Sequence, residues 1–118
     1  MKENIILKKS FAFAIRTVNV YKFLTDQKKE FVLSKQLLRS GTSIGANMEE
    51  ATGGQSKKDF IAKASIAYKE ARETMYWIKL LIATEYLEEK TAKSLLDDAE
   101  ELCKILSSIL ISSKRENP

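Results

Sequence analysis

Histidine is absent from this sequence, cysteine and proline each occur once, and glycine occurs four times. Without histidine the usual general base, the Ser-His-Asp triad and His-ligated zinc are all excluded. A single cysteine excludes an intramolecular disulfide and any Cys-only metal site. So little proline and glycine argues against an all-β fold, which depends on many turns. No apolar run reaches the roughly 20 residues that span a bilayer. The start, Met1 to Lys9, lacks the apolar core of a signal peptide. The expectation is a cytoplasmic, soluble protein that uses no cofactor, meets no membrane and is not an enzyme.

What is present points to one globular domain. The 118 residues are 44% hydrophobic, which excludes disorder and leaves no room for two independent cores. Charge is unevenly divided. Residues 1–58 carry 11 Lys and Arg against 5 Asp and Glu, a charge of +6, while residues 59–118 carry 9 against 11, a charge of −2. A basic half suits nucleic acid or an acidic partner. Lysines that merely solvate helix surfaces would leave the same mark.

Hydrophobic periodicity predicts four helices, over about 10–26, 34–52, 57–84 and 88–113, with 114–118 frayed. Short connections favour antiparallel neighbours, so the predicted fold is an all-α, up-down four-helix bundle over 1–118. The first helix is apolar around more than half its circumference, with Arg16, Asn19 and Lys22 sharing one side. That excess predicts a second buried contact with another subunit. The second helix shows a core stripe of Leu37, Ser40, Gly41, Ile44, Met48 and Ala51. Gly41 and Gly45 each cost about 1 kcal/mol of helix propensity, which close approach of a neighbouring helix would offset. Gly53-Gly54 is expected to supply a left-handed cap, and Ser56 with Asp59 a capping box for the third helix.

The third helix has a core stripe of Phe60, Ala64, Ala67, Tyr68, Ala71, Met75, Ile78 and Ile82. A second sector holds Ile66, Glu70, Glu73 and Trp77, with Tyr76 and Leu80 beyond it. The fourth helix buries Leu95, Ala99, Leu102, Leu106, Ile109 and Leu110. Cys103 at the edge of that face reads as a small core hydrophobe. No aromatic-basic interleaving of the RNA-recognition type is evident, nor a helix-turn-helix with an exposed recognition helix.

A polar stripe on the second helix, Gln36, Arg39, Ser43, Asn47 and Glu50, lies on one flank. Arg39 offers a planar fork of donors. Glu50, Glu70 and Glu73 are the candidate acceptors, with Ser43 and Asn47 filling the remaining bonds in a network that fixes register or docking. Arg39 on a phosphate is the alternative. A metal held by Glu70 and Glu73 is disfavoured, because di-iron bundles pair Glu with His.

The run Gln36-Leu37-Leu38-Arg39-Ser40-Gly41-Thr42-Ser43-Ile44-Gly45-Ala46-Asn47-Met48-Glu49-Glu50 resembles the signature of the 23S ribosomal RNA intervening-sequence proteins. Phe60, Ala64, Ser65, Glu70, Glu73 and the segment Tyr76-Trp77-Ile78-x-Leu80 are similar to that family's third helix. Met48 and the Ala51 to Gly54 run depart mildly from the pattern. The resemblance implies a small bacterial four-helix bundle assembled as a ring-like homopentamer. It also implies a relation to accessory proteins of diversity-generating retroelements, which bind nucleic acid and a reverse transcriptase.

Two readings of function follow. In the first, an oligomer binds RNA or DNA without sequence preference through a basic surface gathered on assembly. Arg16, Lys22, Lys35, Arg39, Lys57 and Lys58 are its candidate contacts, chosen from the basic half. In the second, the bundle is a scaffold for a partner such as a polymerase. A helical-bundle ribonuclease using Arg with His is the weakest alternative, for want of histidine.

Overall fold

The computed structural model describes residues 2–115, with side chains from Ile5 onward. Four helices fill it: α1 Lys2–Asp26, α2 Leu33–Thr52, α3 Lys57–Ala83 and α4 Glu89–Arg115. There is no strand among the described residues. Each helix packs on its chain neighbours, and α1 closes the bundle against α4. Cross-helix pairs run in opposite directions of numbering. Thr17 lies at Gly41 and Ser10 at Gly45; Arg39 reaches Glu70 and Glu50 reaches Lys63. Neighbours are therefore antiparallel, in a rod of 50 × 21 × 20 Å. Only α1–α4, joined at Lys9–Glu101 and Arg16–Asp98, lacks a direct connection.

The core is made of the expected stripes. Every expected core residue of α2 is buried, as are Ala64, Ala67, Ala71 and Ile78 of α3 and all six named on α4. Phe60, Tyr68, Met75 and Ile82 are only half-buried, packed on the margin of that core. α1 begins eight residues before the expected Ser10. The spacing Ile6, Ser10, Phe13, Thr17 and Leu24 is a single buried helical stripe that reaches into the charged start of the chain. At the far end, Lys114 and Arg115 are still helical rather than frayed. Residues 116–118 lie outside the described residues.

The α1–α2 seam is built on small residues. A methyl group on Gly41 would stand 2.6 Å from Thr17 Cγ2, and one on Gly45 would stand 3.2 Å from Ser10 Oγ. The two glycines thus bring the helix backbones together, which compensates their poor propensity. The buried hydroxyls facing them bond to their own helix: Thr17 donates to the Phe13 carbonyl at 2.9 Å and Ser10 to the Leu7 carbonyl at 3.3 Å.

The turns differ from expectation. Gly53 has φ −91° and no glycine has positive φ, so the end of α2 is not a left-handed cap. The left-handed positions are Lys29 and Glu85. Glu85 follows the end of α3, where Glu85 N–H donates to the Ile82 carbonyl and Tyr86 N–H to the Leu81 carbonyl, the paired bonds of a Schellman motif. At the start of α3 the Ser56 hydroxyl accepts from Asp59 N–H at 3.1 Å, which is half of the expected capping box. α2 has a cap that its sequence did not suggest. The buried Glu30 carboxylate accepts from Val32, Leu33 and Ser34 N–H at 3.1, 2.9 and 2.7 Å. Burial pushes this carboxyl up, but the Leu33, Ser34 and Val32 amides outweigh it and hold Glu30 below the ordinary range.

Candidate functional site

The polar flank of α2 faces α3, and Arg39 sits at its centre. Its Nη1 donates to Glu70 Oε1 at 3.2 Å, its Nη2 meets Glu73 Oε2 in a closer contact, and its Nε donates to Gln36 Oε1 at 3.3 Å. Trp77 Nε1 donates to the same Glu73 oxygen at 2.9 Å. Beneath them Thr74 Oγ1 donates to Ser40 Oγ at 2.9 Å, so a buried hydroxyl pair underlies the charges. Glu70 is mostly shielded, with 15% of its side chain exposed, while Arg39 is 48% exposed. The cluster is a two-carboxylate clamp on one guanidinium, which specifies how α2 and α3 align.

Three expected members do not join it. Glu50 lies too far along α2 and pairs instead with Lys63 Nζ at 2.8 Å. Asn47 Nδ2 turns back within its helix to the Ser43 carbonyl at 2.8 Å and to Ser43 Oγ at 3.4 Å. The helical turn groups these residues, whereas the register of α3 decides which of them reach Arg39. Thr74, Trp77 and Lys63 enter the seam from α3. Of these, Trp77 shows a sequence signal, its spacing of four from Glu73.

The basic candidates are not gathered in one chain. Arg16 turns toward α4 and pairs with Asp98 at 2.5 Å, away from Lys22, which lies exposed. Lys22 and Lys35 lie toward the end of the bundle that holds the α1–α2 turn. Lys57 and Lys58 open α3 at the opposite end. Both seams that join the α1–α2 hairpin to the α3–α4 hairpin carry ion pairs, Lys9–Glu101 and Arg16–Asp98 on one and Arg39 and Lys63 on the other. Much of the contrast between a basic and an acidic half is therefore satisfied inside the molecule.

On the outer face of α1, Phe11 is 68% and Ile15 51% exposed one turn apart, beside the exposed Lys8, Asn19 and Lys22, and Ile5 and Phe23 are exposed nearer the two ends of the helix. The α1–α2 turn exposes Phe31 and Val32. Between α3 and α4 runs an open groove of about 530 Å³ lined by Tyr68, Arg72, Tyr76, Lys79, Cys103 and Lys104, among others. On α3 an aromatic and a cation alternate along one stripe, Tyr68, Arg72, Tyr76 and Lys79. This interleaving is not visible along the linear sequence because it appears only at helical spacing. Burial pushes the Cys103 thiol up, against a smaller opposing pull from Arg72, so it stays protonated at neutral pH. Among the described residues no group of three His, Cys, Asp or Glu is placed to hold a metal, and no helix is long and apolar enough to cross a membrane.

Comparison with known proteins agrees with this architecture. Residues 2–108 match the family described as 23S rRNA-intervening sequence protein. A crystal structure from Bacteroides thetaiotaomicron, described as a protein with unknown function from the S23 ribosomal protein family, is 55% identical. It superposes with a TM-score of 0.92 over 93% of this chain and 98% of that one. No curated protein sequence matches the chain.

Proposed function

We propose, for a chain that belongs to the 23S rRNA-intervening sequence protein family, a role as an oligomer that binds nucleic acid by its phosphates, in the cytoplasm and without catalysis. The observation that carries the reading is the outer face of α1. Phe11 and Ile15 form an apolar pair that a monomer would leave in water, and exposed apolar patches mark association surfaces. A second copy on that face, in a ring of five, multiplies the net charge of +4 to +20. The intramolecular pairs take up at least as many acids as bases, since Arg39 alone holds Glu70 and Glu73, so the positive excess stays on the surface. Lys22, Lys35 and Lys58 are exposed without a carboxylate partner among the described residues and are the leading contacts from the basic half. Arg16 and Arg39, already paired, serve the fold first.

Light scattering is expected to give about five times 13.4 kDa, and filter binding to structured RNA and duplex DNA is expected to weaken steeply with salt. A monomer at micromolar concentration, or no binding at low salt, would sink the respective half of the proposal. A scaffold for a protein partner such as a reverse transcriptase is the second reading. Phe31 and Val32, the latter 70% exposed at the tip of the α1–α2 turn, favour it. A pull-down that recovers the partner after nuclease treatment separates the two.

A further inference from the structure

We infer that the groove between α3 and α4 takes single-stranded nucleic acid, with a base stacked on Tyr76 and the adjoining phosphates held by Arg72 and Lys79. The inference rests on the nucleic-acid reading above and moves its contact from the basic half of the chain to the acidic half.

Three observations carry it. The groove has the size of a ligand site, about 530 Å³. Its cations outnumber its acids, because Arg72, Lys79 and Lys104 line it against Glu100 alone. Lys104 lies 3.4 Å from that Glu100, but among the described residues neither Arg72 nor Lys79 has a carboxylate partner. Arg72 instead stands 6.0 Å from the Tyr68 ring centroid and 3.4 Å from its hydroxyl, which aligns the guanidinium without neutralising it. Last, Tyr76 is 58% exposed and braced edge-on by Trp77 at 5.1 Å between centroids. An exposed ring held in one orientation offers a platform to any base, whatever its identity.

The same geometry selects a single strand. Adjacent helices stand about 8–10 Å apart, so the groove between them is too narrow to admit a duplex. Bases stacked inside a duplex also cannot lie on a tyrosine. The floor of the groove is apolar, with Cys103 Sγ at 3.7 Å from Met75 Sδ.

Cys103 is the only cysteine, which supplies a footprint independent of affinity. The full chain is incubated with oligo-dT or oligo-U of about 12 nucleotides, in the range of single-strand site sizes, or with a duplex of equal length. Alkylation of Cys103 by N-ethylmaleimide is then followed by mass spectrometry. The single strands are expected to slow alkylation severalfold and the duplex to leave it unchanged. Tyr76→Ala is expected to weaken single-strand binding about tenfold, Tyr76→Phe to retain it, and Arg72→Ala to flatten its salt dependence.

Single-strand binding that leaves Cys103 equally reactive overturns the groove assignment and spares the nucleic-acid reading. No nucleic-acid binding at low salt overturns both. A fall in the mass of the assembly on Tyr76→Ala, with binding intact, makes Tyr76 an interface residue and likewise overturns the assignment.

Discussion

Between α1 and α2, hydroxyls turn back onto their own helix while glycines admit the neighbouring backbone. Between α2 and α3, charges reach across the flank of the contact, over a buried Thr74–Ser40 hydroxyl pair. The first seam is specified by missing atoms, at Gly41 and Gly45. The second is specified by atoms present, the Arg39 fork and its two carboxylates. One therefore fails on addition and the other on removal, and salt reaches only the second.

The largest effect is expected where an atom is added to the first seam. Gly41→Leu should cost about 3 kcal/mol or more, because overpacking of a buried contact is added to the loss of backbone approach. Gly41→Ala sharpens the point. It gains about 1 kcal/mol in propensity yet should still be net destabilised by about 1–2 kcal/mol, since its methyl meets Thr17. Adding Thr17→Gly should recover part of that loss in a double-mutant cycle of urea midpoints. A neutral Gly41→Ala would refute the steric account.

The second seam is tested by Arg39→Ala, which leaves Glu70 and Glu73 facing one another. Exposure of Arg39 limits the expected loss to about 1–2 kcal/mol. The lone tryptophan bonds to Glu73, so its fluorescence should change in step. Arg39→Lys should not restore the seam, because an ammonium cannot bridge both carboxylates in the same plane. If the stability loss on Gly41→Ala varies more with salt than the loss on Arg39→Ala, the contrast between the seams is wrong.

Smaller again is the cap where the first seam begins. Glu30→Ala should cost about 1 kcal/mol at neutral pH. The Glu30 carboxyl is held below the ordinary 4.5 in the fold, so its contribution is complete above about that pH. It is lost as pH falls through the lowered value. Wild type and Glu30→Gln should therefore converge in acid, as measured by denaturation at pH 3 to 7. The smallest effect belongs to Glu85→Gly, outside both seams. It relieves a left-handed residue and should stabilise by up to about 1 kcal/mol.

The first seam was legible in the sequence and the second only in part. Glycines inside a helix announce a close approach, because nothing local repays them, and both proved to face α1. The residues of the polar flank of α2 were visible by spacing, but their partners depend on inter-helix register, which no single helix encodes. Glu50 consequently went to Lys63 and left Arg39 to α3. The early start of α1 was hidden because its single stripe runs through a stretch of mixed charge. The left-handed turns were misplaced for a related reason. Glycine is the usual occupant of such positions, yet two of the four glycines here lie in the α1–α2 contact while Lys29 and Glu85 take the strained turns.

The two ion-paired seams have one more consequence. They join an α1–α2 hairpin to an α3–α4 hairpin, and nothing in their chemistry records that both hairpins belong to one chain. That identity is imposed by residues 53–56, the short link between α2 and α3. The link supplies a high local concentration of one hairpin around the other, in the millimolar range for short flexible tethers. Stiffening or shortening it would leave every seam contact available while changing whose hairpin fills it, from the same molecule to a neighbouring one. Connectivity, rather than contact chemistry, makes this bundle a self-contained unit.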